Sequence, residues 1–180
     1  MKQMGDFGFF NVNGWGHIDV ILQIIKLTGC NKYLELGIYD GYNISEISKF
    51  SKRCVGVDIR DDRRHFSYDF KLMKTDDFFI ENNEMFDIIF IDADHNFESV
   101  KTDFINSLKI LNKHGIIFLH DTDPISEEYV QPHYCGDSYK MIDWFDENYP
   151  ELNTLTMPIT EAGLTIVNRK VDRRVLNYKK

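Results

Sequence analysis

The sequence has little of what marks an extracellular or membrane-bound protein. Its three cysteines, Cys30, Cys54 and Cys135, are widely spaced and form no CxxC pair. This pattern argues against a disulfide framework or a cysteine-based zinc site. No segment approaches the run of about 20 apolar residues that a membrane span needs. The N-terminus has no basic stretch followed by an apolar run, so no signal peptide is predicted. We therefore expect a cytoplasmic protein without a membrane partner.

Positive charge is also scarce. The chain has 21 Lys and Arg against 29 Asp and Glu, for a net charge of −8. Nucleic-acid partners select a basic face, so none is expected here. The sequence shows no repeat, no low-complexity segment and no interdomain linker. We therefore predict a single domain over residues 1–180, with an irregular arm at 1–16 and a solvated basic tail at 169–180.

Short apolar runs alternate with segments of helical periodicity along the chain. Such alternation predicts an α/β fold, a doubly wound parallel sheet with helices on both faces. Helices are expected at 17–28, after Gly41, at 97–111 and at 139–148, and the polar segment 59–69 is not expected to be helical. The apolar first helix predicts a homo-oligomer contact or a lid. The strand candidates, in chain order, are KYLELG, RCVGVD, FKLMKT, FDIIFID, GIIFLHD, LNTLTMP and GLTIVN.

Three residues carry helix start and stop signals. Asn43 is the expected N-cap of the helix after Gly41, with Glu46 three residues later as in a capping box. Asn96 is a candidate cap for the helix from residue 97, and Gly115 is its expected terminator. Parallel sheets bind ligands outside the carboxyl ends of their strands. Polar residues at the strand ends are therefore the candidate site.

The first three strands end in residues suited to an adenosine-like ligand. The loop from Glu35 through Gly37 and Tyr39 to Gly41, followed by Asn43, can turn sharply and approach a ligand closely, although it is not GxGxxG. Asp58 can accept hydrogen bonds from both hydroxyl groups of a ribose, and the neighbouring Ile59 can pack on an adenine face. The third strand is expected to end at Thr75, where the carboxylate of Asp76 or Asp77 can accept from an adenine amino group.

The fourth and fifth strands end in acidic residues and histidines. Asp92 and Asp121 stand at the two strand tips, and because adjacent strands lie about 4.8 Å apart, both carboxylates can converge on one divalent ion. His95 is the predicted base that takes a proton from a hydroxyl group. Asp94 and Asp123 are assigned to loop structure.

These motifs together resemble the class I S-adenosylmethionine-dependent methyltransferases. The similarity rests on ELGIYDG, VGVDI, FDIIFIDADH and GIIFLHDTD, from about residue 33 to residue 123. More narrowly, the chain is similar to the small metal-dependent O-methyltransferases, the branch that includes macrolide-sugar O-methyltransferases and cephalosporin-hydroxylase-like proteins. The resemblance implies a Rossmann-like seven-stranded sheet of order 3-2-1-4-5-7-6 with strand seven antiparallel.

The resemblance also implies roles for individual residues. Glu35 and Gly37 would hold the methionine end of S-adenosylmethionine, and Asp58 would bind its ribose. Asp92 and Asp121 would hold magnesium or manganese. His120 departs from the family pattern, since an imidazole is a poorer magnesium ligand. It is predicted as a metal ligand, with a supporting contact or a base in place of His95 as alternatives.

The expected activity is methyl transfer to a hydroxyl group of a sugar or another small metabolite. A catechol-like phenolic acceptor and a catalytically inactive nucleoside-binding domain are the alternatives. A nicotinamide dehydrogenase is disfavoured by the missing GxGxxG and the absence of a second domain. Residues 124–138 form a long connection in which His133 and Tyr134 can contact an acceptor, as a lid or as a plain surface loop. Trp15 and His17 are expected to pack, or else to cover the cofactor.

Overall fold

The computed structural model describes residues 16–170, so most of the predicted arm and tail lies outside the described residues. Seven strands form one sheet in the order β3-β2-β1-β4-β5-β7-β6, in which β7 runs antiparallel to β5 and β6. This order and direction confirm the sheet that the resemblance implied. The strands are β1 Lys32–Leu36, β2 Arg53–Asp58, β3 Asp69–Leu72, β4 Phe86–Ile91, β5 Leu111–His120, β6 Leu152–Met157 and β7 Leu164–Arg169.

Five α-helices cover the two faces of the sheet. Helices α1 and α2 pack on one face through apolar residues such as Ile21 and Ile44, and α3, α4 and α5 pack on the other through Phe78, Phe104 and Phe145. The central strands β1 and β4 are buried almost throughout, because both of their faces are covered. The helices are α1 His17–Thr28, α2 Tyr42–Ile47, α3 Thr75–Glu81, α4 Phe97–Ile110 and α5 Met141–Asn148.

Three sequence predictions of element boundaries were wrong. Asn43 is not the N-cap of α2; Gly41 is, in the left-handed conformation. Gly115 does not terminate a helix, because α4 ends at Ile110 and Gly115 lies inside β5. A Cβ on Gly115 would lie 2.8 Å from the Asp87 carbonyl oxygen and still closer to the Leu111 side chain, so close packing requires this glycine.

The third error concerns the end of β3. This edge strand ends at Leu72, and Thr75 begins helix α3, which the sequence interpretation missed. Asp76 and Asp77 therefore lie in the first turn of a helix rather than at a strand tip. Acidic residues there interact favourably with the positive end of the helix dipole. Asn96 caps α4 as predicted, with its side chain accepting from the Glu98 and Ser99 amides.

No helix within residues 16–170 is both long enough and apolar enough to cross a membrane.

Candidate active site

Two adjoining cavities open at the carboxyl edge of the parallel strands. The larger has a volume of about 1080 Å³ and the smaller about 710 Å³, and both are lined by Gly37, Asp58, Ile59 and Ala93. Asp76 lines the smaller cavity. Two of the predicted site residues, Gly41 and Asp77, line neither cavity. The other predicted residues all line the larger cavity: Glu35, Gly37, Tyr39, Asn43, Asp58, Ile59, Asp92, His95, His120 and Asp121.

Glu35 is a carboxyl group buried beneath the larger cavity. Only 1% of the residue is exposed, and one of its oxygens accepts a hydrogen bond of 2.6 Å from the Tyr33 hydroxyl. Burial raises the pKa of Glu35 to about 8; the Tyr33 hydrogen bond opposes this shift and the nearby Asp92 charge adds to it. The sequence interpretation missed Tyr33, although its spacing of two residues from Glu35 places both side chains on one face of β1.

The loop after β1 has two glycines that lie close to neighbouring atoms, Gly37 against the backbone after β4 and Gly41 against the Tyr68 side chain. Gly37 has a positive φ of 81°, and a Cβ on it would be 2.2 Å from the Asp92 carbonyl oxygen. Gly41 has a φ of 80°, and its Cβ would be 2.1 Å from the Tyr68 hydroxyl. Both conformations are open to glycine at little cost. Gly37 thus brings the loop directly against the end of β4, where the acidic cluster begins.

Asp58 ties the loop to the end of β2. Its Oδ2 accepts from the Ile38 amide at 3.0 Å and the Tyr39 amide at 3.2 Å, and its Oδ1 accepts from the Arg60 amide at 3.0 Å. A carboxylate offers about four lone-pair positions, so Asp58 keeps acceptor capacity for a ligand. Ile59 beside it is 67% exposed and offers an apolar surface to both cavities.

Asp92, His95 and Asp121 converge at the strand ends. Each offers one ligand atom, and these three atoms all lie within 4.8 Å of one another. His95 Nε2 is 3.1 Å from Asp121 Oδ2. The predicted convergence of the two carboxylates is therefore present. The two carboxylates suit magnesium or manganese, and a set that also includes the imidazole suits manganese or iron better than magnesium.

The backbone around the cluster is shaped to present these side chains. Asp121 adopts a positive φ of 61°, which is uncommon for a non-glycine residue and is often found at functional sites. Asp94 has the structural role that was predicted, since its Oδ1 accepts from the His95 amide at 2.8 Å and the Asn96 amide at 3.3 Å. The Asp94 side chain therefore stabilises the turn that carries His95.

His120 lies between the two carboxylates. Its Nδ1 is 3.2 Å from Asp92 Oδ1 and 3.3 Å from Asp121 Oδ2. Burial of the ring disfavours its charge, but the two carboxylates outweigh burial and raise the pKa of His120 to about 10. Burial alone would raise the pKa of Asp121, but the hydrogen bond with His120 and the positive charge of His120 lower the pKa of this carboxyl. A charged His120 ring neutralises part of the charge of the two carboxylates.

His17, for which packing or a cover over the cofactor was expected, reaches the same site from α1. Its ring lies 4.5 Å from the His120 ring, edge to face, and stacks on Phe90 at 5.4 Å. Asn43 Nδ2 is 3.0 Å from His17 Nε2. Burial and the adjacent charge of His120 lower the pKa of His17 to about 4, so the ring is neutral near pH 7. No local pattern reveals this role, because the contacts join α1 to β4 and β5.

The smaller cavity has an acidic floor. Asp76 from α3 and Asp94 line it together with Asp103 from α4. Asp103 is only 3% exposed, and burial raises its pKa to about 6. Asp103 was not among the predicted residues, since its spacing within α4 is that of an ordinary core position.

The connection at 124–138, for which both a lid and a plain surface loop were expected, lines the larger cavity. Tyr129, His133, Tyr134 and Cys135 all face the cavity. The segment contains one short 3₁₀ turn, Glu127–Val130, and a second, Ser138–Lys140, begins at its last residue. The rings of Tyr129 and Tyr134 have centroids 5.5 Å apart. The β6–β7 hairpin completes this side of the cavity with Thr160, Glu161 and Ala162.

Comparison with known proteins agrees with this geometry. Residues 34–122 match a family described as a methyltransferase domain. A comparison with curated proteins finds no match. An O-methyltransferase from Bacillus cereus in complex with SAH has a TM-score of 0.62 at 18% identity and covers 85% of this chain and 80% of its own.

Two other solved structures show the range of these relatives. A Staphylococcus aureus protein provisionally described as a caffeoyl-CoA O-methyltransferase has a TM-score of 0.69 at 18% identity, covering 85% of this chain and 82% of its own. The N-methyltransferase NodS from Bradyrhizobium japonicum in complex with S-adenosyl-L-homocysteine has a TM-score of 0.61 at 14% identity, covering 84% and 85%. The shared domain and sheet order, with the glycine loop beside the acidic strand ends, identify the chain as a member of the class I S-adenosylmethionine-dependent methyltransferases.

Proposed function

We propose that the protein transfers a methyl group from S-adenosylmethionine to a hydroxyl group of a sugar or another small metabolite, with the help of a divalent cation. The observation that carries this proposal is the cluster of Asp92, His95 and Asp121, whose ligand atoms lie within 4.8 Å of one another. The cluster directly adjoins the loop in which Gly37 packs on the Asp92 backbone. In this proposal the cofactor binds at the Gly37 loop, directly beside the cluster that activates the acceptor hydroxyl group.

The cofactor half of the site extends from β1 to α3. Glu35 receives the amino group of the methionine end, because a cationic group offsets the cost of ionising this buried carboxyl. Asp58 accepts from the ribose hydroxyls with the lone pairs that its backbone contacts leave free. Asp76 lines the smaller cavity and accepts from the adenine amino group, and Ile59 packs on the ring. Asp77, the other residue considered for this role, lines neither cavity, so Asp76 is the preferred partner of the adenine amino group.

The chemical half of the site comprises the ends of β4 and β5. Asp92 and Asp121 hold magnesium or manganese, which when bound lowers the pKa of an acceptor hydroxyl. His95 takes the hydroxyl proton, and Asp121 at 3.1 Å orients its ring. His120 contacts both carboxylates and so fixes their orientation. The remaining barrier is lowered by alignment of the acceptor oxygen behind the methyl group.

The larger cavity has room for an acceptor beside the cofactor. Its wall combines aromatic rings with polar groups, from Tyr129, His133 and Tyr134 to Thr160 and Glu161. The several polar side chains in this wall favour a sugar as the acceptor, because its hydroxyl groups need hydrogen-bond partners. The paired rings of Tyr129 and Tyr134 favour the second candidate, a catechol-like phenolic acceptor that stacks on them.

The test is formation of S-adenosylhomocysteine from S-adenosylmethionine with panels of sugars, catechols and amines, with and without magnesium or manganese. We expect product with a hydroxyl acceptor, dependent on the metal and lost in Asp92→Asn. Asp146→Asn removes an exposed carboxylate from α5 and is the matched control that should retain activity. Turnover with amines alone, or turnover of Asp92→Asn at the wild-type rate, would refute the proposal.

The role of His95 has a separate test, because its Nε2 also belongs to the three-atom cluster. Manganese is titrated calorimetrically into the wild type, His95→Gln and Asp121→Asn. If His95 acts as the base, His95→Gln keeps manganese affinity within a few-fold and Asp121→Asn loses it. A loss of affinity in both variants would make His95 a ligand instead.

A further inference from the structure

Residues 135–137 of the long loop pack directly on the turn that carries His95. The Asp137 amide donates to the His95 carbonyl oxygen at 3.0 Å. The Asp137 side chain reaches further along the turn, where its Oδ1 accepts from the Phe97 amide at 2.6 Å. Phe97 is the first residue of α4, so its amide has no partner within the helix. One residue of the loop thus binds both sides of the turn.

Gly136 allows this close contact. It has a positive φ of 53°, and a Cβ on it would lie 2.2 Å from the His95 carbonyl oxygen. Real Cβ atoms essentially never approach so closely, so any larger residue would push the loop and the turn apart. The preceding residue, Cys135, is buried, and burial together with the nearby charge of Asp121 raises the pKa of its thiol. The loop therefore packs on the turn that carries His95 and brings Cys135 near Asp121.

We propose that Asp137 and Gly136 are positioning residues that hold His95 against Asp121. The proposal rests on the role of His95 proposed above. The same loop carries Tyr129 and Tyr134 into the larger cavity, so the segment that contacts the acceptor also sets the position of the base. Gly136 and Asp137 themselves line neither cavity.

The other oxygen of Asp137 provides an internal control. Its Oδ2 pairs with Lys140 Nζ at 2.8 Å on the protein surface, where half of the Lys140 side chain is exposed. Exposed pairs of this kind contribute little to stability. Removing Lys140 therefore leaves the hydrogen bond from Phe97 to Oδ1 intact, whereas Asp137→Ala removes it.

The experiment observes His95 directly in the metal-free full chain at one fixed pH. The protein is labelled with ¹⁵N-histidine, and the ring signals of His95, one of six histidines, are assigned by their loss in His95→Gln. In Asp137→Ala we expect the His95 ring signals to move toward those of the exposed His114. In Lys140→Ala they should stay at the wild-type position. Asp137→Asn keeps an oxygen that can accept from Phe97 and should restore them.

A second pair of variants tests the contact by crowding instead of deletion. Gly136→Ala should displace the His95 ring signals in the same direction as Asp137→Ala. Gly29→Ala is the matched control, because Gly29 has a similar φ of 66° but nothing within 4 Å of an added Cβ. It carries the same backbone strain and should leave His95 unchanged. This pair keeps the proposal testable if Asp137→Ala does not fold.

Unchanged His95 signals in both Asp137→Ala and Gly136→Ala would overturn the proposal. So would an equal displacement in Lys140→Ala, because the ion pair rather than the contact with the turn would then be responsible. Calorimetry with S-adenosylmethionine should give the same affinity in every variant, within about three-fold. Failure of the wild type to bind S-adenosylmethionine would refute the proposed function without affecting the ring signals, so the two failures are distinguishable.

Discussion

Glu35→Gln should remove a loss of stability that the wild type suffers as the pH rises. The carboxyl has an ordinary pKa of 4.5 and a folded pKa of about 8, chiefly because it is buried. Between these values the folded protein keeps a proton that the unfolded chain has released. The free energy of unfolding therefore falls by about 1.4 kcal/mol for each pH unit in this window. The decrease begins near the lower pKa and ends near the upper one.

The size of the stability change follows from the pH range between the two pKa values of Glu35. Between about pH 5.5 and pH 7.5 the Glu35 contribution to the free energy of unfolding falls by about 3 kcal/mol. Glutamine has nearly the same shape and an oxygen that can accept from the Tyr33 hydroxyl, but it has no charge to desolvate. The difference in stability between Glu35→Gln and the wild type should therefore grow by about 3 kcal/mol, in favour of the variant, over these two pH units.

Urea denaturation without S-adenosylmethionine, at steps across this pH range, measures the difference. Other titrating groups are common to both proteins and cancel. Glu81→Gln alters an exposed carboxyl of α3 and should follow the wild type at every pH. Stability curves for Glu35→Gln and the wild type that stay parallel across the range would refute the account of Glu35 as a buried carboxyl that is protonated in the free protein.

Three further predictions concern other parts of the molecule. Asp92→Ala should abolish turnover with a hydroxyl acceptor but change calorimetric S-adenosylmethionine affinity less than about three-fold, and loss of that affinity would place Asp92 in the cofactor half. Asp58→Ala should weaken the same affinity by about 10- to 100-fold, because the loss of a charged hydrogen-bond acceptor costs about 1.5–3 kcal/mol; an unaltered affinity would refute the ribose assignment. Phe104→Ala, at a fully buried residue packed on three aromatic rings, should lower the urea-measured free energy of unfolding by about 3–5 kcal/mol, and a loss under 1 kcal/mol would contradict that packing.

The central strands and the polar residues at their ends were predictable because local patterns encode them. In the run FDIIFI only Asp87, near the start, is polar, so the run fits a strand covered on both sides, and Asp92 follows where the run stops. If β4 and β5 are parallel neighbours, their ends share one edge, so Asp92 and Asp121 could be expected to approach each other. The order of all seven strands required the family resemblance, because periodicity does not say which strands pair.

The missed elements have physical reasons. Helix α3 is short, and its first residues continue the apparent strand pattern of FKLMKT, so the boundary at Leu72 has no local signal. Gly115 looks like a helix terminator, but packing against Leu111 and Asp87 demands it inside β5.

The supporting contacts of the site were missed for a different reason. His17 meets His120 across 103 residues of sequence and Asp137 meets His95 across 42, and no spacing rule reports such contacts. Tyr33 was within reach of sequence reasoning, since it shares a strand face with Glu35.

The claim on which the account depends is that the metal carboxylates and the donated methyl group face one cavity. S-adenosylmethionine labelled with ¹³C in its methyl group is bound to the protein without an acceptor, and manganese is added up to an equimolar amount. The methyl signal should broaden strongly in the wild type and much less when Asp92 and Asp121 are both changed to asparagine. A methyl signal that stays sharp while manganese binds the wild type would contradict the account.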